Sequence, residues 1–213
     1  MSGPQAMDQP HGSYIILTLC VGASFLVGSL PFGKLIAQRV GRIDITRKGS
    51  GNMGATNVAR ELGLGWGILT LLLDLLKGFV PLALYALFYS NSDLELAVLG
   101  LSALLGHQFS IFAGFRGGKG VATSLGIFLA LAPAQALVAV AFFMATVLVT
   151  DFVSLGSILS ALLIPILFIL SGKSGVLIVT ALLMAALICF RHKDNIRRLI
   201  KGEERTWRRK EPK

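Results

Sequence analysis

Runs of apolar residues long enough to leave water altogether decide what this chain can become. Seven can be marked, at about 14–38, 62–90, 94–112, 119–133, 134–150, 155–170 and 174–190. A helix needs about 20 such residues to cross a hydrocarbon core, and inside lipid the backbone finds partners only within its own helix. Hydrophobic residues make up 54% of the 213 and charged ones only 15%. The sequence therefore predicts an all-α integral membrane protein of about seven transmembrane helices. It forms one membrane domain over 1–213: a short segment 1–13, a bundle 14–190 and a basic tail 191–213. The fourth and fifth runs are split only by "LAPAQA" and read as a tight hairpin, with one long kinked segment as the alternative.

The placement of charge orients the bundle. Of 20 Lys and Arg residues, ten lie from Arg191 onward and eight lie between Lys34 and Arg60 or at Arg116 and Lys119; only Lys77 and Lys173 are elsewhere. Positive charge gathers on the cytoplasmic side of a membrane protein, beside anionic headgroups. A periplasmic N-terminus and a cytoplasmic C-terminus put nearly all of it inside if there are seven spans. With six, "AGFRGGKG" and the tail would fall on opposite sides. The same clustering argues against a nucleic-acid partner despite the net charge of +9. The first 13 residues hold no Lys or Arg, so they lack a signal peptide's basic region, and the first apolar run is expected to be retained. Cys20 and Cys189 both sit inside apolar runs, which leaves no disulfide framework and no CxxC metal site.

Polar, glycine-rich stretches interrupt this pattern twice. In "DITRKGSGNMGATNVAR", Gly49, Gly51 and Gly54 surround Ser50, Asn52, Thr56 and Asn57 just before the second run. Glycines let successive N–H groups converge into an anion-binding nest, and a helix N-terminus adds positive potential. Arg60, read as one and a half to three turns into the following helix, adds a fixed charge. A flexible turn is the alternative. In "GHQFSIFAGFRGGKGVATSLG", Gly117, Gly118 and Gly120 surround Lys119, with Thr123 close behind. It is not a P-loop, which would need glycine at Ala113 and Ser or Thr at Gly120, although topology-setting charge would also explain its basic residues. Both loops and the tail converge on one membrane face.

Other polar residues are more ambiguous. His107 lies near one end of the third run, and His192 and Asn195 share a face if the seventh helix continues past the membrane. Asp74 and Lys77 are costly in lipid and, three apart, read first as a self-paired couple, with a role in the site or in a transport path as the alternative. Ser154 and Ser157 suit either a helix cap or a site wall. The H-x-x-x-x-D pair of many acyltransferases, GxSxG, HExxH and clustered metal ligands are all missing. A small transporter or channel for an anionic solute and a lipid-binding scaffold are the rival classes.

The strings "GSLPFGKLIA", "DITRKGSGNMGATNVAR", "GHQFSIFAGFRGGKGVATSLG", "FVSLGS" and "RHKDNIRRL", in this order, resemble the bacterial acyl-phosphate-dependent glycerol-3-phosphate acyltransferases, the PlsY family, from about residue 14 to 201. The resemblance implies a seven-span inner-membrane enzyme with its active site facing the cytoplasm. It would transfer an acyl group from acyl phosphate to the 1-hydroxyl of glycerol 3-phosphate, giving lysophosphatidic acid and phosphate in the first step of phospholipid synthesis. No metal or other cofactor is implied. Membrane lipids surround such an enzyme, and a phosphate acyltransferase that supplies acyl phosphate is its expected functional partner. Carried over by position, Ser50, Arg60, Lys119, Ser157, His192 and Asn195 form the candidate catalytic set. The candidate phosphate-binding set is Ser50, Gly51, Asn52, Gly54, Thr56, Asn57, Arg60, Gly117, Gly118, Lys119, Gly120 and Thr123. Lys34, after "PFG", departs from the family's common pattern at the membrane edge.

Overall fold

The computed structural model describes residues 10–208, with side chains from residue 14. Residues 1–9 of the N-terminal segment and 209–213 of the tail lie outside the described residues. Ten α-helices follow one another: α1 Pro10–Gly28, α2 Phe32–Val40, α3 Ala55–Leu62, α4 Leu64–Phe88, α5 Asp93–Gln108, α6 Val121–Leu131, α7 Pro133–Thr150, α8 Val153–Leu170, α9 Gly175–Arg191 and α10 Lys193–Lys201. No strand occurs among the described residues.

Three helix breaks refine the seven apolar runs. The first run divides at Ser29–Pro31, where proline has no N–H for a helical bond, and α2 then carries Lys34 and Arg39 on an amphipathic turn. The second run is preceded by a separate helix rather than extended by one. Gly63 takes φ +99 and ψ 160 between α3 and α4, a backbone conformation open to glycine and closed to residues with a Cβ. Arg60, expected one and a half to three turns into the spanning helix, therefore lies instead in the last turn of the separate eight-residue α3. At the far end, the seventh helix does not run on straight: α9 and α10 meet at His192 with a bend of 61°.

Five helical stretches, Tyr14–Val40, Leu64–Phe88, Asp93–Ala113, Pro133–Thr150 and Val153–Leu170, are long and apolar enough to cross a membrane, and α9 with α10 makes a sixth. The 11-residue α6 rises only about 16 Å. It ends at Ala132, and Pro133 opens α7 as a first-turn proline, where the missing N–H has no helical acceptor anyway. Leu19, Leu72, Leu87, Val149 and Leu170 are exposed on the outer faces of the bundle, surface suited to lipid rather than water.

Inside, Leu82, Leu104, Ile127, Phe168 and Met184 anchor one contiguous core. The short α6 is fixed against α4 by reciprocal glycines. A Cβ on Gly78 would overlap the carbonyl oxygen of Thr123, and one on Gly126 would overlap that of Leu75. Small residues let helix backbones approach this closely in membranes, where no hydrophobic force draws helices together. Gly126→Val is expected to cost about 1–3 kcal/mol or more, read as a lowered thermal midpoint in detergent. An unchanged midpoint would show that the α4–α6 seam yields without penalty.

Candidate active site

The loop between α2 and α3 is ordered by one buried amide. Asn57, 2% exposed, donates Nδ2 to the carbonyls of Asn52 (2.8 Å), Lys48 (3.1 Å) and Ile45 (3.3 Å), and its Oδ1 accepts from Ser50 N at 3.0 Å. Asn52 Oδ1 accepts from Gly54 N at 2.8 Å, and Gly51 N donates to Lys48 O. Several N–H groups expected to hold a phosphate thus hold the loop itself. Asn57 is its scaffold. The N–H groups of Ala55 and Thr56 open α3, where a helix offers them no acceptor, and both residues line the cavity described below.

The second glycine loop closes on protein in the same way. Gly118 N donates to His107 O and Gly117 N to Gln108 O, both at 3.1 Å. Arg191 donates to the carbonyls of Gly117 and Gly118 at 2.6 and 3.2 Å, and Gln108 Nε2 donates to Lys119 O at 3.0 Å. A Cβ on Gly118 would strike the His107 ring, so no side chain fits there. Gly120, with φ +89, then starts α6. Gly117, Gly118 and the buried Thr123 do not reach the cavity wall, whereas Lys119 and Gly120 do.

One cavity of about 330 Å³ unites the remaining predicted residues: Ser50, Asn52, Gly54, Thr56, Arg60, Lys119, Ser157, His192 and Asn195 all line it. Gly51 is not on its wall. Lys119 Nζ donates to Asn195 Oδ1 at 2.6 Å. His192 is 2% exposed, and its Nδ1 lies 2.8 Å from Ile188 O. A carbonyl only accepts, so Nδ1 carries the hydrogen and Nε2 is left as an acceptor in the neutral ring. Ser157 Oγ donates to Val153 O. Away from these groups the cavity continues between Leu125, Phe128, Ala136, Ala139, Ala161 and Ile164, an apolar arm walled by α6, α7 and α8.

Glu204, Arg198 and Ser154 complete the polar end; the sequence left Ser154 open between a helix cap and a site wall and pointed to neither Glu204 nor Arg198. The tail turns back at Gly202, φ +70, and Trp207 N donates to Asp151 O at 2.8 Å. This brings the Glu204 carboxylate under Ser154 Oγ (2.7 Å), Asn195 Nδ2 (2.6 Å) and Arg198 Nε (2.7 Å). Burial alone would raise its pKa; the three hydrogen bonds outweigh it and hold the group below its ordinary value. Burial pushes Lys119 down to about 8, with Glu204 opposing the shift and Arg198, Arg60 and Arg191 reinforcing it. Arg60 Nη2 donates to the carbonyls of Arg205 and Thr206 at 3.4 and 3.2 Å. Asp74 and Lys77 pair with each other at 2.9 Å, and Lys77 also donates to Leu30 O. Asp74 touches the cavity wall as well.

A cationic polar pocket opening into an apolar arm within a membrane bundle is a site for an amphiphilic anion. Residues 18–202 match the family described as glycerol-3-phosphate acyltransferase. The chain is 46% identical to the glycerol-3-phosphate acyltransferase of Desulfotalea psychrophila over 190 residues, 88% of this chain and 96% of that one. It is also 46% identical to that of Geotalea daltonii over 193 residues, 91% and 98% of the two chains. Its fold matches the crystal structure of PlsY, an integral membrane glycerol 3-phosphate acyltransferase, in its glycerol 3-phosphate form. The TM-score is 0.86 at 38% identity, covering 89% of this chain and 94% of that one. The lysophosphatidic acid form matches with a TM-score of 0.83. The protein is a membrane-embedded acyltransferase. It belongs to the glycerol-3-phosphate acyltransferase family and shares its fold with the solved PlsY.

Proposed function

We propose that the protein transfers the acyl group of an acyl phosphate to the 1-hydroxyl of glycerol 3-phosphate, releasing lysophosphatidic acid and phosphate. The observation that carries this reading is the continuity of one cavity from Arg60, Lys119 and Arg198 into the apolar arm at Phe128, Ala136 and Ile164. Such a space suits two phosphates at one end and an alkyl chain at the other. The new ester bond forms between the hydroxyl oxygen and the acyl carbonyl carbon, the carbon–oxygen bond to phosphate breaks, and a phosphate oxygen takes the hydroxyl proton. A mixed anhydride has a good leaving group, so charge neutralisation and orientation supply most of the rate. Neutral His192 directs a lone pair toward the hydroxyl and orients it. Lys119, Arg60 and the first turn of α3 neutralise phosphate.

The orientation follows from charge. With the site on the face that gathers the basic loops and tail, a seven-span bundle that counts α6 and α9 places the N-terminus in the periplasm and the pocket in the cytoplasm. Glycerol 3-phosphate then enters from water and the acyl chain from the lipid of the bacterial inner membrane. A phosphate acyltransferase is the class of enzyme that would supply the donor.

Purified protein in detergent, given glycerol 3-phosphate and palmitoyl phosphate, is expected to release phosphate and form lysophosphatidic acid, and to form none from palmitoyl-CoA. Folded protein that used palmitoyl-CoA, or released no phosphate, would overturn the donor assignment.

A further inference from the structure

Among the described residues two carboxylates line the cavity: Asp74, paired with Lys77, and Glu204, which sits among the cations of the polar end. The Glu204 side chain is only 5% exposed. It takes three donors at 2.6–2.7 Å, from α8 (Ser154) and α10 (Asn195, Arg198). A carboxylate with this many short contacts does more than balance one ion pair: it decides how its neighbours point.

The consequence falls on Asn195. An amide has two donors at one end and an acceptor at the other. Glu204 Oε1 only accepts, so it takes the Asn195 NH2 end. That leaves Oδ1 turned to Lys119 Nζ, 2.6 Å away. Donation therefore runs from Lys119 through Asn195 to Glu204, while Arg198 donates to the same carboxylate from the other side, and the carboxylate sets the direction. An uncharged side chain at 204 would accept less strongly and leave the amide free to turn over. Its NH2 would then confront the lysine ammonium, donor against donor.

We propose that Glu204 is a positioning residue for acyl transfer, fixing the Asn195 amide so that Oδ1 orients the Lys119 ammonium toward substrate phosphate. This rests on the phosphate role of Lys119 given above. The residue does not touch the reacting atoms. It acts through Asn195, and through its negative charge close to Lys119.

The charge gives the role a signature that a packing role lacks. The groups acting on Lys119 are Glu204 from the tail, Arg198 from α10, Arg60 from α3, Arg191 from α9 and the neutral His192 at the α9–α10 junction. Of these charges Glu204 alone favours the ammonium. Lys119 binds phosphate when protonated, so kcat/KM is level below its pKa, about 8, and falls tenfold per unit above it. Removing the carboxylate leaves the arginines unopposed, and the basic limb moves to lower pH. Substrate phosphates titrate near pH 6, at the opposite end of the profile.

The test is the pH profile of kcat/KM for glycerol 3-phosphate in full-length protein carrying Glu204→Gln, Glu204→Asp or Ser154→Ala. Glu204→Gln is expected to lose about tenfold at pH 7 and more at pH 8.5, its limb displaced toward acid, because a nearby opposite charge shifts a pKa by about a unit or more. Ser154→Ala removes one donor and keeps the charge, so its limb stays in place. Glu204→Asp recovers the limb position of the wild type, and it serves as the reading if the glutamine variant fails to fold. A wild-type limb in folded Glu204→Gln, or a displaced limb in both Glu204→Asp and Ser154→Ala, overturns the proposal. If the wild type itself makes no lysophosphatidic acid, the functional reading fails instead.

Discussion

Replacing Lys119 by alanine is expected to lower kcat/KM for acyl transfer by about a thousandfold, the upper range for losing one group that stabilises developing negative charge. The fold should survive, because the loop that carries Lys119 is held by its backbone. Gly117 N, Gly118 N and Lys119 O are bonded to α5, and the carbonyls of Gly117 and Gly118 to Arg191. None of those bonds uses the Lys119 side chain. Lys119→Arg restores charge but brings a bulkier planar fork to a buried site shaped for an ammonium, so rescue is expected to be partial. Phosphate release paired with thermal unfolding in detergent checks both halves. A folded Lys119→Ala enzyme within a few-fold of wild type would remove Lys119 from the phosphate site.

How far the sequence could lead to this site differs from one residue to the next. The apolar helices were legible because bilayer thickness imposes a length that composition reveals directly, but of the seven expected spans five are long enough to cross, α9 with α10 makes a sixth, and α6 is shorter. Lys119 was legible because a glycine-rich turn before an apolar helix carries a mechanism in its residue types. Which N–H groups a nest offers was not. The Asn57 amide and the end of α5 claim several of them, and those claims join residues 5 to 12 positions apart. Arg60 was assigned to the site, but its helix was misread. An apolar run blurs the boundary at Gly63, where only φ +99 separates α3 from α4.

Glu204 left no local trace at all. In "KGEERTW" it reads as one acid among basic tail residues whose charges already have an explanation in membrane topology. Its place depends on the 61° bend at His192 and on the reversal at Gly202, both of which are tertiary facts. The reciprocal glycines Gly78 and Gly126 were equally silent, since glycines in an apolar helix signal close packing without naming the partner.

Replacing Arg60 by alanine is expected to lower kcat/KM about a hundredfold or more, with most of the loss in KM for glycerol 3-phosphate if Arg60 binds phosphate equally in the ground and transition states. Arg60 has two jobs that this variant removes together. It lines the cavity, and it clips the tail through the carbonyls of Arg205 and Thr206. A chain ending at Glu204 lacks both carbonyls, and Glu204→Gln in the full chain gives the cost of disturbing the carboxylate that the lost Trp207–Asp151 bond helps to place, so the two together separate the jobs. If Arg60 acts on substrate, that truncation costs far less than Arg60→Ala, and Arg60→Lys recovers only part of the activity because an ammonium cannot reproduce two parallel N–H donors. If truncation and Arg60→Ala are equally damaging, Arg60 works by holding the tail. The phosphate would then be neutralised by Lys119, Arg198 and the first turn of α3 without it.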